Sequence, residues 1–292
     1  MAALPAFGNY HLVHLDGALD VALDQSLGRH LKPTPAHLSR VVYVPEHRNA
    51  TTHLPLYDIT ECYARAVKTE FIGTNKYKLS LAMMKRPNGD GTDADVRYLV
   101  DFESGFSKTD VTVERRVPGH NGETVNMYLP REGDGNFRLA SLNPSQAIEL
   151  VVTTSFPVPG TTMHVGAIPV RHPWFTISHT LQDGAVTVPS NLEWQARPTE
   201  LGTLRYTLVD TAEAAEDGEP FIHAIYHHMG IAFDLPSDYS EGVLLLSENL
   251  NGEAETLAVT TLLGLLRQVR SINQPPPRPK TKSFVKRVLG KI

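Results

Sequence analysis

The stretch FIHAIYHHMG, residues 221–230, holds three histidines close together. Imidazole is the commonest side-chain ligand for zinc, and two histidines four residues apart on a helix share one face at ligand spacing. His223 and His227 have that spacing, with His228 beside them, but the glutamate that would complete a metalloprotease motif is absent. The Phe, Ile, Ile and Tyr around them favour a strand. In a strand His223, Ile225 and His227 share one face as ordinary sheet residues. Neither a metal nor another cofactor is expected.

Other reactive side chains offer less. His172 and His179 flank Pro173-Trp174, with His164 nearby, in an order that suggests no triad. There is no G-x-S-x-G elbow, phosphate-binding loop or dinucleotide fingerprint. Cys62, next to Tyr63 on a predicted helix face, reads as a small packing residue. These residues do not point to an enzyme.

Composition bounds what must position them. The chain has 292 residues, 41% hydrophobic and 20% charged, with Gly and Pro at 21 each. That is enough apolar material for a core, cut into many short segments, as in a β-rich fold. One cysteine excludes an internal disulfide framework and a multi-cysteine zinc site, and fits a reducing compartment. MAALPAFGNYHLVHLDG lacks the features of a signal peptide. LAVTTLLGLL (257–266) is too short and too polar to span a bilayer. A soluble or peripheral intracellular protein is expected.

Leu15, Leu19, Leu23, Leu27 and Leu31 form a helical stripe behind a possible Asp16 cap. VVYVP (41–45) reads as a strand. DITE (58–61) reads as a capping box opening a helix to about Phe71, with Ile59, Tyr63, Val67 and Phe71 on one face. YKLSLAMMKR and DVRYLVD read as one hairpin around PNGDG. VTVERRV and ETVNMYL read as another around PGHNG. AIELVVTT, TMHVGAIPV, WFTISHT, TLRYTLVD, FIHAIYHH and GVLLLS add strands, and a helix over 253–272 closes the body. The predicted fold is mainly β: a jelly-roll-like antiparallel barrel or sandwich with flanking N- and C-terminal helices. Residues 1–75 form an N-terminal strand and helix region packing on the barrel, 76–273 the β domain, and 274–292 a Pro-rich linker with a basic tail.

Charge is unevenly spread. No Asp or Glu follows Glu255, and eight Lys or Arg do, so an acidic body carries a basic end. Past QPPPRPK, one helical face would carry Phe284, Val285, Val288, Leu289 and Ile292. Arg278, Lys280, Lys282, Lys286, Arg287 and Lys291 supply charge. Such a tail suits nucleic acid, an anionic membrane, or a groove on another viral or host protein.

The second arm of the first predicted hairpin ends on an acid, Asp101, which could cap the ESG turn. The pattern also resembles the signature region of the 30K superfamily of plant-virus movement proteins, in which a strand ends in Leu-x-Asp, here Leu99-Val100-Asp101. Short echoes of its cucumovirus branch occur in order: SLGRH (26–30), VVYVPE (41–46), the hairpin, and NLEWQAR (191–197). The resemblance covers roughly residues 26–197. It implies a jelly-roll-like barrel that binds single-stranded RNA without sequence preference, forms homo-oligomers and localises to plasmodesmata. It makes Leu99 and Asp101 signature residues with a structural or assembly role.

The acidic body departs from that pattern, because a nucleic-acid face should be basic. In the body, Lys76, Lys78, Lys85, Arg86, Arg115 and Arg116 are the phosphate contacts to expect. A virion structural protein, capsid or matrix, is the alternative, and a metal enzyme around His223 and His227 a third.

Overall fold

The computed structural model describes residues 34–46, 52–67, 72, 75–84, 95–102, 110–116, 124–128, 137–141, 149–155, 163–165, 168–170, 174–180, 191–198, 204–214, 220–228 and 241–273. The fold is mainly β. In chain order the strands are β1 (Arg40–Val44), β2 (His53–Asp58), β3 (Val96–Asp101), β4 (Asp110–Arg115), β5 (Thr124–Tyr128), β6 (Phe137–Ser141), β7 (Glu149–Ser155), β8 (Met163–Val165), β9 (Ile168–Val170), β10 (Trp174–Thr180), β11 (Leu192–Pro198), β12 (Leu204–Ala214), β13 (Pro220–His228) and β14 (Gly242–Leu246). The helices are α1 (Thr60–Val67), α2 (Asn75–Met83) and α3 (Gly252–Asn273).

All pairings among the described residues are antiparallel. Each strand from β1 to β7 pairs with the next, β7 pairs with β10, and β10 to β14 continue in chain order. β14 pairs with β1, Val42 facing Leu244, so the order is that of a closed barrel. β8 and β9 form a separate two-stranded sheet. This order corrects the expected jelly roll, whose connections cross between distant strands. Short links favour hairpins between consecutive strands, and the result here is a meander.

The closing helix is also placed differently from expectation. Every residue of α3 from 254 to 266 is buried. A helix apolar all round must be covered all round. Leu257, Val259, Leu262, Leu263 and Leu266 share one core with Val42 of β1, Tyr98 of β3, Val113 of β4, Met127 of β5, Val152 of β7, Trp194 of β11, Tyr206 of β12 and Leu244 of β14. Those strands lie around the whole ring, so α3 fills the barrel rather than flanking it. Asn251 caps it, its Oδ1 accepting from the Ala254 N–H at 2.8 Å.

A second core lies outside the barrel wall. Tyr63 and Val67 of α1 and Tyr77 and Leu81 of α2 pack with Tyr43, Ile225, Val243 and Leu245. β14 is therefore buried on both faces, and its GVLLL run shows no alternation. Asp58 starts α1 as expected, its Oδ1 accepting from the Thr60 N–H at 3.0 Å.

The first predicted hairpin is not formed. YKLSLAMMKR contributes to α2, and β3 pairs with β2 and β4. The alternation of Lys78-Leu79-Ser80-Leu81 suggested a strand, but Tyr77, Leu81 and Met84 are the buried set. Their spacing of four and three is helical. The second predicted hairpin is present as β4 and β5, Val113 facing Val125. The predicted helix over 15–31 lies outside the described residues.

Candidate functional site

β3 alternates buried and half-buried positions, so its two faces have separate roles. Tyr98 and Val100 point into the barrel core. Leu99 and Asp101 stand half-buried on the other face. Leu99 lies between Pro55 and Glu114, and Asp101 between His53 and Thr112. Asp101 Oδ2 is 3.4 Å from His53 Nε2, and Thr52 Oγ1 is 2.8 Å from His53 Nδ1. The expected cap of the ESG turn lies outside the described residues, while the His53 contact joins β2 to β3. The His53 and Asp101 side chains are 52% and 37% exposed, so solvent screens the pair.

At the start of α3, charge is concentrated around one buried carboxylate. The Glu255 side chain is 1% exposed. Arg40 of β1 forms an ion pair with Glu255 Oε2 and donates to the carbonyls of Ser247 and Leu250 at 2.5 and 2.8 Å. Arg97 of β3 donates to Glu255 Oε1 at 3.1 Å, and the Tyr98 hydroxyl donates to the same oxygen at 2.7 Å. Burial opposes the Arg97 charge, yet hydrogen bonding and attraction from Glu255 carry its pKa above the ordinary arginine value. Burial, then the Glu255 charge, pushes the Tyr98 hydroxyl well above the ordinary tyrosine range. The group locks helix to wall. An acid at the head of the long apolar run that follows it was the signal that could have found it.

Of the three histidines of β13, His223 and His227 are buried and His228 is half-buried. His227 is 1% and His223 7% exposed. The His227 ring meets Tyr77 of α2 edge-on at 5.0 Å, and His223 meets Phe221 at 4.9 Å. Among the described residues no three His, Cys, Asp or Glu side chains come together as a metal site. Cys62 is half-buried, with the Arg65 guanidinium 3.5 Å from its Sγ.

Of the expected basic contacts, Arg115, Arg116, Lys76 and Lys78 fall among the described residues. Arg115 and Arg116 are half-buried at the end of β4, where the Arg116 N–H donates to the Arg97 carbonyl at 2.8 Å. Lys76 and Lys78 stand on α2. Lys85, Arg86, Arg278, Lys280, Lys282, Lys286, Arg287 and Lys291 lie outside the described residues, as do Phe284, Val285, Val288, Leu289 and Ile292. Among the described residues no helix is long and apolar enough to cross a membrane. Compared with protein-family models, curated protein sequences and solved structures, the chain matches none.

Proposed function

We propose that this chain is a viral cell-to-cell movement protein that binds single-stranded RNA without sequence preference and works as an oligomer at plasmodesmata. The observation that carries the reading is the placement of Leu99 and Asp101. They share the outer face at the end of β3, while Tyr98 and Val100 supply the core from the inner face. Residues whose role is assembly belong on such a face rather than in the packing. RNA contact falls to Arg115, Arg116 and the basic tail, through phosphates. The barrel interior is occupied by side chains of α3, which leaves the outer surface to carry function.

The test is Asp101→Ala in a cell-to-cell spread assay, run beside a stability measurement. Spread should be lost while stability changes by about 1 kcal/mol or less, the range for an exposed ion pair. Full spread by the variant refutes the role given to Asp101. Electron microscopy of the wild-type protein with RNA separates the virion alternative: open tubules or filaments fit movement, and closed shells fit a capsid subunit.

A further inference from the structure

We infer that α2 seats the protein on an anionic lipid surface, with Leu79 and Met83 entering the headgroup layer. α2 covers the outer wall of the barrel with Tyr77 and Leu81, which are 0% and 2% exposed. Its other side should then be polar. Instead Leu79 is 60% and Met83 78% exposed, one helical turn apart, with exposed Ala82 beside them. Among the described residues only Tyr128 joins them as an exposed large hydrophobic side chain. Residues four apart on a helix are neighbours, so the two side chains lie side by side.

Charge selects the occupant. From residue 71 to residue 89 there is no Asp or Glu, while Lys76, Lys78, Lys85 and Arg86 fall in that stretch, in a chain whose net charge is −5. A local basic segment carrying aliphatic side chains complements a bilayer surface rich in anionic headgroups. RNA would also be drawn to the charge, but its bases stack chiefly on aromatic side chains. The residues exposed here are Leu and Met, and the helix's aromatic, Tyr77, is buried. A second copy would bring two like-charged segments face to face. The inference does not depend on the movement reading.

The experiment uses the full chain and flotation with phosphatidylcholine vesicles, with and without phosphatidylserine. Wild-type protein should float with the anionic vesicles and stay behind with the neutral ones. Leu79→Ser with Met83→Ser should weaken anionic flotation by about tenfold or more, the factor expected from the apolar area removed. The basic tail is unchanged in this variant, so its attraction is common to both proteins. Met83→Trp gives a second measurement: its emission should shift to the blue with anionic vesicles. Equal flotation of wild type and double variant, or no shift for the tryptophan, overturns the inference. Loss of RNA affinity with flotation unchanged also overturns it and makes α2 a nucleic-acid face. Wild-type self-association that the variant abolishes, without vesicle binding, overturns it in favour of a second copy.

Discussion

Trp194 of β11 donates its indole N–H to the Thr261 hydroxyl of α3 across 2.8 Å, and both side chains are fully buried. Thr261 in turn donates to the Leu257 carbonyl, also at 2.8 Å. One bond thus ties the barrel wall to the helix it encloses. Thr261→Val keeps the shape and removes the acceptor. It should cost about 1–3 kcal/mol, the penalty for a buried donor left unsatisfied. Urea denaturation with a two-state fit measures it.

Glu255 should be the most costly polar position to change. Glu255→Gln leaves Arg40 and Arg97 at the barrel end without their carboxylate. Breaking a buried pair by removing one partner costs about 3–5 kcal/mol. Glu255→Gln should therefore unfold at markedly lower urea than the wild type. A shift within experimental error would show that the lock is not needed.

Alkaline stability should depend on Tyr63. Burial, offset in part by the hydrogen bond to Tyr77, pushes its pKa up to about 12 from the ordinary 10.0. The unfolded chain therefore loses this proton first. The contribution is fully present below pH 10 and is lost as pH rises toward 12. Tyr98 and Tyr206 are shifted in the same direction, each chiefly by burial. Tyr63→Phe should reduce, but not abolish, the fall in urea midpoint between pH 9 and pH 11.

Gly242 opens β14 directly against the ring of Tyr226. A Cβ at that position would sit 2.3 Å from the ring carbon Cζ. Gly242→Ala should cost about 1–3 kcal/mol through overpacking. Adding Tyr226→Leu should cancel part of that loss in a double-mutant cycle. Simple additivity of the two would mean that the contact is not the cause.

Local pattern revealed much of this fold, and location revealed much less. VVYV, VTVERRV and GVLLL read as strands because β-branched and apolar runs are bounded by turn residues, and α3 was visible as one apolar run. β2, β6 and β11 were missed: HLPLYD contains a proline inside the strand, and FRLAS and LEWQARP have no β-branched residue. α2 was mistaken because Leu79 and Leu81 alternate, and one sequence cannot say which of them meets a wall. The meander order and the enclosed helix depend on contacts between distant residues, which periodicity does not encode. The candidate site follows the same division. Leu99 and Asp101 were legible as a strand end, and the Arg40–Glu255–Arg97 group was not, since its members come from three separate elements.

The enclosed helix also has a consequence in time. The element at the centre of the molecule, α3, is made after all the described strands, and the strand that closes the ring, β14, pairs with β1. At about 5–20 residues per second, the ~200 residues between those strands take roughly 10–40 s to make. For that interval the growing chain holds a row of inward side chains with nothing to enclose. A chain stopped within α3 would lack the filling of its barrel, whereas one stopped after Asn273 would keep it. Synthesis of this protein should therefore need a chaperone to shelter apolar strands until α3 has been made.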